Sequence, residues 1–313
     1  MGDSTREKAA DVLRGWALDE ELKQRVMSSP PLAAIAQKIA AGYSAGETVR
    51  DAIEAAKRSM ARGHLVSLEY AGESVRDAGV AEAETAVFLD LISALRQAGI
   101  AGTVSFDLSH IGSLVSPALA LENARRMADA LAPLRTSLMI SAEGSDRTDL
   151  VLDLYEALRE EKVEVGVTLQ ARLHRSEKDL KRLLKQPGTI RLVKGAFLEP
   201  EGMAYPRGSA ELQENYLRLA GLIIDAGHPV SIATHDAALI AEILERHPNL
   251  SEAKDVEFEM LLGLGTSTLD RLHAEGFTTR EYSIFGGEWW LYVLNRIAED
   301  PERVFDAIIA AGR

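Results

Sequence analysis

Thr189-Ile-Arg-Leu-Val-Lys-Gly-Ala-Phe197 is a short extended-type run that carries two cations and stops abruptly at Gly195. It reads as one buried strand with its functional groups gathered at the C-terminal end. A polar helix, Ser176 to Lys185, precedes it and is closed by Pro187-Gly188, and a loop bearing Pro and Gly, Glu199 to Gly208, follows it. Strand, loop and helix in that order form the unit of a parallel α/β protein. An Arg in the middle of such a strand is costly to bury unless it meets an anion. Arg191 therefore has two readings, a ligand contact or an internal ion pair with a neighbouring strand.

The same rhythm extends in both directions. Short runs rich in β-branched residues alternate with amphipathic segments. Strands are predicted over His64–Tyr70, Thr103–Leu108, Ser137–Ala142, Glu164–Gln170, Thr189–Lys194, Pro229–Thr234, Val256–Met260 and Thr278–Ile284. Helices are predicted over Glu82–Ala98, Pro117–Ala132, Asp149–Glu161, Glu177–Leu184, Ala210–Ala226, Ala237–Arg246, Ser267–Ala274 and Glu288–Ala298, with a terminal helix from Pro301 to Ala311. Eight βα units without a long break predict an α/β fold, a (β/α)8 TIM-type barrel. Before it, Asp3 to Met60 is helical in pattern, broken at Ser28-Ser-Pro-Pro31 and at Gly42-Tyr-Ser-Ala-Gly46. The expected organisation is an N-terminal helical arm, residues 1–62, and a catalytic barrel, residues 63–313.

Composition narrows the chemistry. At 313 residues the chain is within the range of a single α/β barrel. A net charge of -13 and the lack of any Lys/Arg-rich run argue against nucleic acid as a partner. With no cysteine, thiolate nucleophiles, Zn-thiolate sites, disulfides and covalent flavin-cysteine links are all excluded. No metal site is expected. The N-terminus has no apolar signal region, and no run approaches the roughly 18 apolar residues of a membrane span, so a cytoplasmic location is expected.

In such a barrel the catalytic groups stand where the strands end. The polar residues at those ends are Glu69 with Gly72-Glu73, Asp107 with Ser109-His110, Ser141 with Glu143, Gln170 with Arg172, Lys194, Thr234-His235-Asp236, and Glu257 with Glu259. Any parallel barrel needs some polar groups where strands meet water. Hydrogen-bonding side chains at so many ends point to a large polar ligand lying across the mouth.

The ordered segments Leu68-Glu-Tyr-Ala-Gly-Glu73, Leu169-Gln170, Ile190-Arg-Leu-Val-Lys-Gly-Ala196, Ile232-Ala-Thr-His-Asp236, Phe258-Glu-Met-Leu-Leu-Gly263 and Tyr292 with Arg296 and Glu299 resemble the proline dehydrogenase family, in its monofunctional bacterial type. The resemblance runs from about residue 60 to 312. It implies a distorted (βα)8 barrel holding FAD without a covalent bond, hydride transfer from the carbon beside the proline nitrogen to flavin N5, and a cyclic imine product. An electron acceptor, quinone or oxygen, follows from the same chemistry. By this resemblance Gln170, Arg191, Lys194, Gly195, Thr234, His235 and Glu299 belong to the cofactor site. Arg191 or Lys194 would stabilise the anionic pyrimidine end of a reduced flavin. Strand parity keeps the two from both facing inward, so one serves from the strand and the other from the turn. Asp236 also suits a helix N-cap at Ala237, a role compatible with the cofactor one.

On the last barrel helix, Tyr292, Asn295, Arg296 and Glu299 share one face and can close over the mouth. A solvated stripe with a minor Arg296–Glu299 pair is the plainer account of that face. Trp289-Trp290 suits packing the helix down, and Tyr282, on the eighth strand, matches an active-site tyrosine of the family.

Four positions depart from the family pattern. Asp107 stands where the family has its substrate-binding lysine, Ser141 where it has the aspartate that partners that lysine, and Asn295 where it has the first of two arginines, leaving Arg296. Phe197 replaces a tyrosine, a milder change. In the family the lysine and both arginines grip the proline carboxylate. Losing two of three cations, at about 1.5–3 kcal/mol for each charge-assisted bond, weakens a carboxylate site by orders of magnitude. The expected substrate is therefore a small amine, imino acid or hydrazine-type N–H compound, with Asp107 toward its cationic nitrogen and Asp107, Ser141, Tyr282, Tyr292, Asn295 and Arg296 as the catalytic set. The alternatives are an ordinary proline dehydrogenase, a flavin-binding pseudoenzyme, and an aldolase-type barrel using Lys194 as a Schiff base.

Overall fold

Alternation along each strand decides the architecture. The computed structural model describes residues 3–72 and 74–312; Glu73, quoted with the first strand end, lies outside the described residues. Four helices lead in: α1 (Asp3–Ala17), α2 (Glu20–Met27), α3 (Pro30–Ala40) and α4 (Val49–Ala61). Then follow β1 (Leu65–Tyr70), α5 (Ala78–Ala98), β2 (Thr103–Phe106), α6 (Pro117–Leu131), β3 (Leu138–Ile140), α7 (Thr148–Glu160), β4 (Val165–Gln170) and α8 (Ser176–Leu183). The second half is β5 (Ile190–Val193), α9 (Ala210–Asp225), β6 (Val230–Ala233), α10 (Ala237–Arg246), β7 (Val256–Leu261), α11 (Thr266–Ala274), β8 (Thr278–Phe285), α12 (Trp289–Glu299) and α13 (Arg303–Gly312). Every strand pairs in parallel with the next, and β8 returns to β1 from Leu65↔Arg280 to Tyr70↔Phe285, closing the barrel. The α/β barrel expected from the sequence is the fold observed.

The outward face of the strands is apolar and fully covered by helices: Leu68, Val104, Phe106, Leu138, Ile140, Val167, Ile190, Leu192, Val230 and Ile232 are each 0% exposed. Burying one such side chain contributes roughly 1.5–3 kcal/mol. The inward face is polar, carrying Ser67, Glu69, Ser105, Arg191, Ser231, Glu259, Arg280 and Tyr282, held in three hydrogen-bonded groups inside the barrel. The apolar core of this protein is thus the ring between strands and helices, and the barrel interior is an electrostatic core.

Element ends differ from the sequence reading where local hydrogen bonds decide. β2 stops at Phe106 because Asp107 O accepts the His110 N–H at 3.1 Å and turns the chain. β8 runs on to Phe285, whose carbonyl accepts Ala71 N–H at 2.8 Å. α5 begins at Ala78, earlier than its apolar pattern, because Asp77 Oδ1 caps Val80 N–H at 3.0 Å.

The N-terminal helices hold the last barrel helix over the mouth. Ala10, Leu13, Ala40, Tyr43, Trp289, Trp290, Val293, Ile297 and Ala298 form a second apolar cluster between them. Its indoles are also hydrogen-bonded, Trp289 Nε1–H to Glu47 Oε1 and Trp290 Nε1–H to Trp16 O, both at 3.0 Å. Gly263, at φ +79°, lets the Gly42 carbonyl approach so closely that a Cβ there would sit 1.8 Å from its oxygen. The two tryptophans therefore anchor α12, which fixes the face carrying Tyr292 and Arg296.

Candidate active site

The deepest charged group is Arg191, 4% exposed, pointing inward from β5. Its Nε and Nη2 donate to Glu259 Oε2 and Oε1 at 2.7 and 2.8 Å, and Nη2 also donates to Ser67 and Ser105 Oγ at 2.9 Å. Ser231 Oγ–H adds a 2.6 Å bond to Glu259. Burial alone would lower the Arg191 pKa, but the Glu259 charge overcomes it and the pKa is raised, so the guanidinium stays charged. The internal ion pair is therefore present. Nη1 makes no hydrogen bond among the described residues.

Above it, β8 and the end of β3 bring two side chains onto the carboxylate of Glu69 from β1. Glu69 Oε2 accepts from Ser141 Oγ–H at 2.7 Å and from the Tyr282 hydroxyl, whose ring also lies 4.7 Å from the Arg191 guanidinium. Burial raises the Tyr282 pKa well above its usual value, and the Glu69 charge raises it further, so this phenol keeps its proton. Asp107 follows β2 on the same side of the mouth. Tyr292 reaches down from α12, its hydroxyl oxygen buried without a partner and its pKa raised first by burial. Asn295 makes no hydrogen bond among the described residues.

The opposite side is rich in cations. Lys194 lies beyond the last residue of β5, in the turn made possible by Gly195 at φ +110°, and pairs with Asp236 at 2.7 Å. A Cβ at Gly195 would stand 3.1 Å from Gln170 Oε1 and crowd the carboxamide. Gln170 Nε2–H donates to Glu143 O at 2.8 Å, which leaves Oε1 open. Asp236 also caps α10 through Ala238 and Leu239 N–H, both 3.1 Å, and Thr234 Oγ1 accepts Asp236 N–H at 3.2 Å. The helix-cap reading of Asp236 is correct in this respect. Arg172 ties the loop after β5 through Tyr205 O (2.8 Å) and Phe197 O (2.5 Å). At the rim the Arg207 pKa is lowered, first by burial and then by the charges of Arg172, Arg14 and Arg296. Arg296 binds Glu299 at 2.8 Å, and its Nε is buried without a hydrogen bond.

His235 is electrically neutral. Burial, followed by the charges of Arg303, Arg296 and Lys194, pushes its pKa down to about 3. Its Nε2 accepts Leu261 N–H at 3.0 Å, so the proton must sit on Nδ1, which becomes a fixed donor.

Glu69 and Glu259 were legible in the sequence as polar strand ends, but neither belongs to the predicted site set. Their significance depends on partners on other strands. A cavity of about 200 Å³ opens at the opposite end, lined by Lys254, Glu257, Thr278 and Arg280. It lies at the N-terminal ends of the strands, the end of such barrels that serves stability, so the strand-end constellation remains the candidate active site.

A parallel barrel with a charged interior, unpartnered polar atoms converging on its mouth and a helix fixed across it has the frame of a barrel enzyme for a small polar molecule. The proline dehydrogenase family model matches residues 52–291, ending within α12 just before Tyr292. The chain is 33% identical over 269 residues to the proline dehydrogenase of Deinococcus radiodurans, covering 84% of this chain and 86% of that one. It is 29% identical over 270 residues to proline dehydrogenase 2 of Bacillus subtilis (strain 168), covering 85% and 88% respectively. The crystal structure of proline utilization A from Bdellovibrio bacteriovorus inactivated by N-propargylglycine superposes with a TM-score of 0.74 at 20% identity, over 95% of this chain. This chain spans 37% of that longer protein, and the likeness carries the fold. The chain belongs to the proline dehydrogenase family and is a flavin-dependent dehydrogenase acting on a C–N bond. Among the described residues, no helix is long and apolar enough to cross a membrane.

Proposed function

We propose that this protein is a non-covalent FAD enzyme that oxidises a small amine or imino acid to an imine, and that free L-proline is not its preferred substrate. The observation that carries the reading is the sign of the substrate side of the mouth. Glu69 and Asp107 stand there with the neutral Ser141 and Asn295, while Arg296 is already paired with Glu299 at 2.8 Å. A lone carboxylate would meet two acidic groups and one engaged cation.

The residues present fit the cofactor. Gln170 Oε1, the Nδ1–H of His235, the Thr234 hydroxyl hydrogen and Arg191 Nη1 are open polar groups near one end of the barrel. They can hold the edge of a flavin ring, and the crowded cations Arg172, Arg207 and Lys194 suit a diphosphate, which favours FAD over FMN. When bound, FAD supplies the two-electron acceptor. The chain's part is to position the substrate carbon, keep the Tyr282 and Tyr292 hydroxyls protonated, and hold the Arg191 cation fixed through Glu259. A quinone or oxygen then receives the electrons.

Lys194 is less suited to Schiff-base chemistry, because its amine is engaged by Asp236 at 2.7 Å rather than open to a carbonyl carbon. The test is anaerobic bleaching of the flavin absorbance over a panel of amines with and without carboxylates. Reduction by carboxylate-free amines but not by L-proline is expected. Efficient reduction by L-proline would overturn the substrate reading, and a colourless purified protein would overturn the cofactor reading.

A further inference from the structure

Among the described residues five carboxylates are buried, and four of them have an arginine: Glu259 with Arg191, Glu281 with Arg62, Glu143 with Arg147, and Asp179 with Arg175. The fifth is Glu69, 8% exposed, which forms no ion pair among the described residues. Two hydroxyls, from Ser141 and Tyr282, fix its Oε2, and Oε1 accepts no hydrogen bond. The Arg191 charge acts on Glu69 from beyond ion-pair distance, and a buried carboxylate with one open oxygen and no direct cation is a place a cationic ligand can complete.

We propose that Glu69 Oε1 binds the cationic nitrogen of the substrate, with the Tyr292 hydroxyl as the adjoining polar contact, so that the site selects small ammonium compounds lacking a carboxylate. This deepens, and rests on, the substrate reading above. The second observation is Tyr292 itself: its hydroxyl oxygen is buried without a hydrogen bond, on the helix α12 that is held over the mouth where the end of β1 carries Glu69. A secondary or primary ammonium carries two or more N–H donors, enough for both acceptors. Ser141 is part of the same device. A second carboxylate at that position would repel Glu69 from hydrogen-bonding distance, whereas the hydroxyl donates to it at 2.7 Å and aims it.

The test uses the FAD-loaded protein, with pyrrolidine hydrochloride and L-proline as probes and binding read by titration calorimetry. Glu69→Gln keeps the shape and removes the charge. It should weaken pyrrolidine binding about ten- to a hundredfold, as expected for loss of a charge-assisted hydrogen bond, while flavin content and thermal midpoint hold. Glu69→Asp should recover part of the loss. Tyr292→Phe, on a surface helix, should weaken binding about fivefold and serves if the first variant fails to fold. Pyrrolidine that binds the wild type and both Glu69→Gln and Tyr292→Phe equally, or that does not bind the wild type, overturns the proposal. Pyrrolidine that binds through Glu69 without bleaching the flavin supports this inference and removes the reading of carboxylate-free amines as substrates instead.

Discussion

Arg191 and Glu259 face each other across the barrel interior through two hydrogen bonds of 2.7 and 2.8 Å, at 4% and 2% exposure. The pair is the structural floor of the candidate site. It fixes a permanent positive charge below the mouth, and Ser67, Ser105 and Ser231 hold its geometry from three further strands.

Arg191→Met alone leaves Glu259 buried without its cation, and should lower stability by about 3–5 kcal/mol in urea unfolding. Arg191→Met with Glu259→Gln should regain most of that loss. In the single variant the flavin should also be harder to reduce, because one cation is gone while the Glu259 charge stays. A reduction potential equal to that of the wild type would assign Arg191 to the ion pair alone.

The depressed pKa of His235 makes stability depend on acid. The unfolded imidazole takes up its proton near pH 6.5 and the folded one only near pH 3, so the unfolded state binds more protons between them. The stabilisation is complete above about pH 6.5 and is lost as the pH falls toward 3. Between pH 7 and pH 4.5 this group should account for about 2–3 kcal/mol of lost stability. His235→Gln can still accept the Leu261 N–H and should flatten that part of the curve. Equal slopes for both proteins over this interval would show that His235 is not the titrating group.

The flavin should leave with denaturation. The chain has no cysteine and its open contacts are hydrogen-bonding groups and cations, so heat or acid should release a chromophore that co-elutes with FAD. Colour retained on the precipitated chain, or a chromophore that co-elutes with FMN, would contradict the cofactor assignment.

Restoring the family's charge pattern should restore the family's substrate. Asp107→Lys, Ser141→Asp and Asn295→Arg in combination should raise kcat/KM for L-proline by at least about a hundredfold, since two charge-assisted bonds are regained at about 1.5–3 kcal/mol each. It should depress activity with carboxylate-free amines in the same assay. An unaltered preference would place substrate choice elsewhere in the mouth.

Much of the fold was legible because it depends on period. Eight runs of β-branched residues separated by amphipathic helices predict the closed barrel, and Gly195 marks the end of β5 without reference to any other strand. Local capping was less visible: α5 starts at Ala78 because of a side-chain hydrogen bond from Asp77, which an apolar periodicity does not register. The family motifs also pointed to Gln170, Lys194 and His235 as individual residues. They did not give the tautomer of His235, which a single backbone N–H from Leu261 imposes.

The sequence by itself determined the barrel, the order of its strands, and the residue types at Asp107, Ser141 and Asn295. Tertiary structure alone decided how those charges are compensated. Arg191 acquires Glu259 from a strand 68 positions away, while Glu69 acquires two hydroxyls, the Ser141 one from 72 positions away, and no direct ion pair among the described residues. Charge type is a property of a residue, but its solvation and its partners depend on distance in space, and closing the barrel brings residues far apart in the chain within hydrogen-bond range.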